Sequence, residues 1–237
     1  YRSLDTVELE SSEGRTVLTH TGNPGLIRRD LLGIEKSREA LQAVPAETLA
    51  DYCEQAAELF LHEELPVGEA TQTPQDYIES LSALTKLPHT LVRMNMGKVY
   101  AAMSQIRTVI GGLTRGLPLE LFDRGLSAVD DLEVNFFPVT GALGVSLPSN
   151  APAVNSLWLP APVLKIPVLL KPGREDPFTP LRIVQALIAA GFPREAFGFY
   201  PTSHEGGDTI LMTCGRGIAF GSDATVRKYS GFPSIQV

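Results

Sequence analysis

The chain has 237 residues, of which 43% are hydrophobic and 20% are charged, and its formal net charge is −7. This composition excludes a disordered chain and predicts a well-buried core. No apolar run approaches the roughly 20 residues that a membrane span needs, and the negative charge leaves no broad basic surface for nucleic acid. We therefore expect neither a membrane nor a nucleic acid as partner.

The cysteine content indicates the cellular compartment. Cys53 and Cys214 are the only two cysteines, which are too few for a disulfide framework, and nothing at the start resembles a signal peptide. A cytoplasmic protein is therefore expected. Because the sequence starts with Tyr1 and runs to Val237 without a polar tail, we also expect it to be part of a longer protein.

The N-terminal part predicts a short hairpin followed by helices. Residues 6–11 and 15–19 are two β-prone runs, which indicate a hairpin or an arm. From residue 49 onward the apolar positions have helical spacing and place Cys53 on the buried face. Further helices are predicted over 76–87 and 91–110, and Gly111 and Gly112 are expected to end the second. Its inward residues would be Val92, Val99, Met103 and Ile106.

From about residue 134 the pattern changes to alternating strands and helices. Twelve of the 18 prolines lie from Pro138 onward, between short β-branched runs. This pattern predicts an α/β fold with a parallel, helix-covered sheet. The predicted strands are 144–147, 167–170, 197–200 and 217–220, and the predicted helices are 154–163, 180–190 and 205–212.

One helix of this region has clear start and stop signals. Thr179 is a suitable N-cap, Pro180 suits the first helical position, and Gly191 is typical of the residue that ends a helix. The helix is therefore predicted to begin directly after Thr179.

Polar residues follow three of the predicted strands, where parallel sheets bind their ligands. Lys171 emerges from a buried strand and could bind ribose hydroxyls or a phosphate, or simply be solvated. Asn150 could donate to a developing oxyanion, or form a turn. The three strand ends are Pro148-Ser149-Asn150, Lys171-Pro172-Gly173-Arg174 and Gly221-Ser222-Asp223.

Four groups of short motifs follow one another between residues 135 and 229, and it is their order and spacing in combination that are informative. They are Phe137-Pro138 leading to Gly144-Val145, then Pro148-Ser149-Asn150, Leu169-Leu170-Lys171-Pro172, and Ala190-Gly191-Phe192-Pro193. This combination resembles the cofactor-binding domain of the aldehyde dehydrogenase superfamily, whose corresponding motifs include Pro-Trp-Asn, a Lys-Pro strand end and an Ala-Gly-Phe-Pro turn.

The resemblance implies a doubly wound sheet of the Rossmann type, with an N-terminal arm and helical region over 1–130 and a nucleotide-binding region over 131–237. It implies a role for each motif as well. Asn150 would be the oxyanion donor, and Lys171 would bind the adenosine ribose. Gly221 and Ser222 would lie by the cofactor pyrophosphate, with Pro148 and Ser149 beside the cofactor. It also implies a homodimer or homotetramer that acts on a small-molecule aldehyde.

Three departures from the family pattern bear on the cofactor. Arg174 stands where the family often has Glu, and a guanidinium suits a 2′-phosphate, so the expected cofactor is NADP or NAD, with NADP favoured. Ser149 replaces Trp, and Phe-Thr-Gly-Ser is reduced to Phe220-Gly221-Ser222. With these changes, the motifs resemble those of the acyl-CoA reductase branch of the same superfamily.

The reaction needs a thiolate and a carboxylate that the sequence does not offer at the matching positions. Cys53 lies on an apolar helix face and is expected in the core, while Cys214 is expected to pack at a helix end. By the resemblance, both catalytic groups lie beyond Val237. The four histidines lack metal-ligand spacing, and His204 is a candidate phosphate contact at a helix start.

Three functions remain open at this point. The first is an NAD(P)-dependent oxidoreductase that oxidises an aldehyde to a carboxylic acid through a thiohemiacetal. The second is an acyl-CoA reductase of the same superfamily, in which a thiol acceptor releases the acyl group. The third is a nucleotide-binding module without catalysis of its own.

Overall fold

The computed structural model describes residues 3–10, 14, 16–129 and 132–237. Near the N-terminus, β1 (Thr6–Glu10) and β2 (Thr16–His20) form an antiparallel hairpin in which Thr6 pairs with His20. Leu9 anchors the hairpin because its side chain is buried in the main core. The predicted hairpin is confirmed, although Ser11 and Arg15, at the ends of the predicted runs, lie outside the described residues.

Helices dominate the segment that follows. They are α1 (Pro24–Leu31), α2 (Ile34–Gln42), α3 (Ala46–His62), α4 (Pro74–Thr85), α5 (His89–Ser104), α6 (Ile106–Thr114) and α7 (Leu121–Arg124). The start of α4 is fixed by a capping box, in which the Thr73 hydroxyl accepts from the Asp76 N–H and the Asp76 carboxylate accepts from the Thr73 N–H. Cys53 is buried on the inner face of α3, as predicted.

The helix predicted over 91–110 is two helices, and its predicted end was wrong. The backbone leaves helical geometry at Gln105, with φ −113° and ψ 26°. Helix α6 then continues through Gly111 and Gly112, because the burial of its apolar side chains outweighs the low helix propensity of glycine. It ends at Arg115, which adopts the left-handed conformation.

One small antiparallel ribbon connects α3 to α4, and a second follows α7. They are β3 (Leu65–Val67) with β4 (Ala70–Gln72), and β5 (Leu126–Val129) with β6 (Leu132–Asn135). Neither ribbon was predicted from the sequence. The predicted boundary between 130 and 131 falls on two residues that lie outside the described ranges.

The central sheet has five parallel strands in the order β11-β10-β7-β8-β9. This order confirms the predicted doubly wound α/β sheet. The strands are β7 (Ala142–Ser146), β8 (Val168–Lys171), β9 (Phe197–Phe199), β10 (Gly215–Ala219) and β11 (Ile235–Gln236), and the helices between them are α8 (Pro160–Val163), α9 (Phe178–Ala190), α10 (His204–Thr213) and α11 (Asp223–Tyr229). The helix predicted over 154–163 is largely a 3₁₀ turn, Pro152–Leu157, because prolines interrupt it.

Helices cover both faces of the sheet. Val168 and Leu170 of β8 belong to one core cluster with side chains of α3, α5 and α9, whereas Leu169 packs in a second cluster with Ile27 of α1 and Ile210 of α10. Since successive residues of a strand point to opposite faces, these clusters lie on the two sides of the sheet. The N-terminal helices and the sheet therefore share one core.

Helix α9 begins earlier than predicted. Its first residue is Phe178, so Thr179 is a buried residue of the first turn and not the N-cap. The capping role belongs to Asp176, whose Oδ1 accepts from the Thr179 N–H at 2.9 Å. Gly191 ends the helix as predicted, with φ 122°.

Candidate nucleotide-binding site

The polar strand ends that the sequence singles out emerge along one edge of the sheet. Ser146, the last residue of β7, pairs with Lys171 of β8 on one side and with Ala219 of β10 on the other. The Phe220 N–H continues the ladder by donating to the Ser146 carbonyl at 3.0 Å. The chain builds β7, β8 and β9 in one direction and then crosses from β9 to β10, on the other side of β7, so the strand order reverses between the neighbours β7 and β10. Such a switch point, at the carboxyl ends of the strands, is where open α/β sheets bind ligands.

Lys171 is the half-buried cation of this edge. Desolvation lowers the pKa of its ammonium, and the neighbouring Glu175 carboxylate opposes that shift. The methylenes of Lys171 lie against the first turn of α10, where a Cβ at Gly207 would be 2.7 Å from Lys171 Cδ. Gly207 therefore creates the space in which the lysine side chain lies beside a helix N-terminus, where N–H groups favour anions.

The loops after β7 and β8 are braced against each other. A Cβ at Gly173 would lie 2.6 Å from backbone atoms of Pro148 and Ser149, so only glycine allows this approach. The Ser149 hydroxyl donates to Glu175 Oε2 at 2.5 Å and accepts from the Glu175 N–H at 3.1 Å. The structure thus brings together Pro148, Ser149 and the Lys171 loop, as the sequence suggested.

Asn150 and Arg174 lie at the exposed surface of these two loops. Neither side chain makes a hydrogen bond or ion pair with the part of the chain that the structure describes. The acidic residue next to Arg174, Glu175, makes the loop contacts instead. Glu175 was not predicted as a site residue, although its position directly after Arg174 was a usable signal.

Gly221 and Ser222 form the third strand end and are exposed. A side chain at Gly221 would collide with Thr225 in the first turn of α11. Helix α11 is held on α10 by Asp208, which accepts from the Lys228 ammonium at 2.6 Å and from the Tyr229 hydroxyl. Although burial opposes it, these contacts hold the pKa of Asp208 below its ordinary value. Within the described residues, no hydrogen bond joins this loop to Lys171.

A buried polar cluster beneath the Lys171 loop was not predicted. The Tyr77 and Thr179 hydroxyls are hydrogen bonded at 2.7 Å, and the buried Arg182 guanidinium donates to the carbonyls of Phe60, Glu63 and Gln72. Burial raises the pKa of Asp176 to about 7, and its hydrogen bonds to Thr179 offset this only in part. An Asp-Pro pair before an apolar stripe is a helix-start signal that could have revealed Asp176.

Neither cysteine has the environment of a nucleophile. Cys53 and Cys214 are both buried, and desolvation raises the pKa of each thiol to about 12. Both therefore have the packing roles predicted for them. Among the described residues, no group of three or more His, Cys, Asp and Glu side chains could hold a metal ion. His204 is exposed as the first residue of α10.

A cavity of about 510 Å³ lies at the opposite end of the sheet. Its lining comes from the α1–α2 turn, the entry to β7 and the turn between α10 and β10, and includes Arg28 and Thr140. It contains none of the predicted site residues. We place the candidate site at the carboxyl ends of the strands, because the Lys171 cation, the helix N-terminus and the switch point coincide there.

Among the described helices, none combines the length and the apolar character that a membrane span requires.

Comparison with known proteins identifies the fold. No family model and no curated protein matches the sequence. Solved structures do match: an NAD-dependent benzaldehyde dehydrogenase from Corynebacterium glutamicum has a TM-score of 0.72 at 14% identity, over 100% of this chain and 50% of that one. A succinate-semialdehyde dehydrogenase from Burkholderia pseudomallei has a TM-score of 0.75 at 14% identity, over 98% and 48%.

A third match was solved with NAD⁺ bound. It is a betaine aldehyde dehydrogenase from Staphylococcus aureus, with a TM-score of 0.71 at 15% identity over 99% of this chain and 47% of that one. The chain therefore has an aldehyde dehydrogenase-like α/β fold and spans about half the length of the solved enzymes that it matches. This likeness confirms the resemblance drawn from the sequence motifs at the level of the fold.

Proposed function

We propose that the chain is the nicotinamide-dinucleotide-binding part of an oxidoreductase that converts an aldehyde to a carboxylic acid through a thiohemiacetal. The observation that carries this proposal is the position of Lys171. Its half-buried ammonium lies at the switch point of a doubly wound sheet, beside the N-terminal turn of α10. The aldehyde dehydrogenase-like fold supports the same reaction class.

The residues at this edge fit a dinucleotide. Lys171 would bind the adenosine ribose, and the exposed Gly221 and Ser222 would lie by the pyrophosphate, where their backbone groups are accessible. Pro148 and Ser149 would form the side of the crevice. Glycine at 173 and 207 removes the side chains that would otherwise displace this wall or the lysine.

Asn150 is the catalytic residue proposed within this chain. Its side-chain amide is exposed and makes no hydrogen bond to the described residues, so it is free to donate to the substrate oxygen as negative charge develops there. When bound, the nicotinamide group would accept the hydride that leaves the substrate carbon. Because both cysteines are buried, neither supplies the thiolate that adds to the aldehyde, and the reaction needs a thiolate from another segment.

Coenzyme choice is assigned to Arg174. Its exposed guanidinium has no partner among the described residues and could pair with a 2′-phosphate, which favours NADP over NAD. The adjacent Glu175 carboxylate is held by Ser149, so it does not neutralise the guanidinium by direct contact.

Calorimetric titration with NAD and NADP tests both assignments. In a Lys171→Met variant we expect about a tenfold loss of affinity for both coenzymes, since a charge-assisted contact of about 1.4 kcal/mol is removed. Lys98→Met, at an exposed position of α5, is the matched control.

Arg174→Glu should reverse the preference between NADP and NAD. Failure of the unaltered chain to bind either coenzyme would overturn the proposed function.

The assembly and compartment follow the same proposal. A homodimer or homotetramer is expected, with a small-molecule aldehyde as substrate, and light scattering of the purified chain measures the assembly. A reducing cytoplasm suits two free, buried cysteines.

A further inference from the structure

The loop between β8 and α9, residues 172–177, is anchored from below by an acidic side chain. Asp176 is 1% exposed, and its backbone N–H donates to the Gly173 carbonyl at 3.3 Å. Pro172, Gly173 and Pro177 are buried with it, whereas Arg174 and Glu175 are exposed. The loop therefore exposes its two middle charged residues to solvent, while Asp176 and the residues at both ends of the loop are buried.

The Asp176 carboxyl is only half satisfied. Oδ1 accepts from the Thr179 N–H at 2.9 Å, but Oδ2 is buried and has no hydrogen-bond partner among the described residues. An ionised carboxylate in this position would lack solvation for one oxygen, which is costly in a buried environment. Either the carboxyl stays neutral, or the loop above it must admit water.

Among the residues that the structure describes, the elements packed around Asp176 offer it no counter-ion. Helix α4 contributes the Tyr77 hydroxyl, which is already bonded to Thr179. The Arg182 guanidinium of α9 donates to three backbone carbonyls, and the Asp76 carboxylate of α4 acts electrostatically on Arg182. Burial consequently raises the pKa of Asp176 to about 7, so its charge changes near neutral pH.

We propose that Asp176 is a positioning residue of the nucleotide site, whose neutral carboxyl keeps loop 172–177 closed and whose ionised carboxylate loosens it. The inference rests on the proposed function, because it assigns this loop to coenzyme binding. Loosening would reach both sides of the crevice. Gly173 packs on the backbone of Pro148 and Ser149, and Glu175 is bonded to Ser149, so the β7 loop moves with this one.

Hydrogen–deuterium exchange measures the loop without any coenzyme. In the unaltered chain, the amides of the four non-proline loop residues, 173–176, should exchange faster at pH 8.5 than at pH 6, after correction for the intrinsic pH dependence of exchange. In Asp176→Asn, which resembles the neutral carboxyl, the corrected rates should be equal at the two pH values. Asp5→Asn, the same change at an exposed position, should behave like the unaltered chain.

Coenzyme titration at the same two pH values is the second readout. The affinity of the unaltered chain should fall about tenfold from pH 6 to pH 8.5, a change that lies within the limit set by one linked proton. Asp176→Asn should lose most of this dependence and keep any part that comes from Lys171, which is unchanged. A pH dependence of binding that is the same in both proteins would overturn the inference and leave the proposed function standing.

The remaining outcomes are also decisive. If the unaltered chain binds no coenzyme, the proposed function fails, while the exchange data still decide whether Asp176 controls the loop. If Asp176→Asn does not fold, exchange in the unaltered chain alone is the test. Corrected rates for the amides of 173–176 that do not change between pH 6 and pH 8.5 would then overturn the inference.

Discussion

The two loops that flank the proposed crevice differ in how they are held. The loop after β8 is braced by the Gly173 contact, by the Ser149–Glu175 pair and by Asp176. The loop after β10 consists of the exposed Gly221 and Ser222, and Ser222 makes no side-chain cap bond to α11. We infer that the first loop is pre-organised for a ligand and that the second gains its order from α11, which Asp208 fastens to α10.

The largest effect is expected where the braced loop leaves no space. In Gly173→Ala the new Cβ would meet backbone atoms at 2.6 Å, which cannot move as a side-chain tip can. We expect a loss of about 3 kcal/mol in the free energy of unfolding, measured by chemical denaturation. Gly231→Ala is the control, because nothing lies within 4 Å of its Cβ position. Equal stability of the two variants would show that the loops are not braced.

A smaller effect on stability but a clear one on binding is expected at Gly207. Its Cβ would lie 2.7 Å from Lys171 Cδ, and a flexible side chain can move away at low cost. Gly207→Ala should therefore reduce coenzyme affinity about tenfold with little change in stability. Gly111→Ala, in the open space beside α6, should leave binding unchanged. Unaltered affinity in Gly207→Ala would argue against Lys171 as a ligand.

The smallest effect is expected from the hydrogen bond that joins α11, which follows the second loop, to α10. Tyr229→Phe removes one hydroxyl that donates to Asp208 and leaves the Lys228 contact intact. We expect a loss of about 1 kcal/mol in the free energy of unfolding, because the contact is partly solvated. Tyr100→Phe is the comparison, since its hydroxyl bonds to Glu58 at the exposed surface. If Tyr229→Phe costs no more than Tyr100→Phe, then α11 does not depend on this contact.

Sequence patterns were sufficient for the parts of the fold that depend on local spacing. Alternation of β-branched runs with helical stripes predicted the parallel sheet, and strand ends predicted where Lys171 and Gly221 would emerge. Single residues were harder to predict. Thr179 looked like an N-cap, but α9 begins at Phe178, and Asp176, three residues before Thr179, accepts from the Thr179 N–H instead. Propensity alone also misjudged Gly111 and Gly112, since tertiary burial of α6 outweighs it.

The sequence by itself determined the order of strands β7 to β10 and the chemistry available at the carboxyl edge of the sheet, because both depend on residues that are near one another in the chain. Only the tertiary structure decided which groups meet. Ser149 and Glu175 are 26 positions apart, and Tyr77 and Thr179 are 102 positions apart. The burial of Asp176 depends on helices from both halves of the chain, and this burial also leaves its Oδ2 without a partner among the described residues. Desolvation raises the pKa of this carboxyl, and it could not be predicted from the residues next to Asp176 in the sequence.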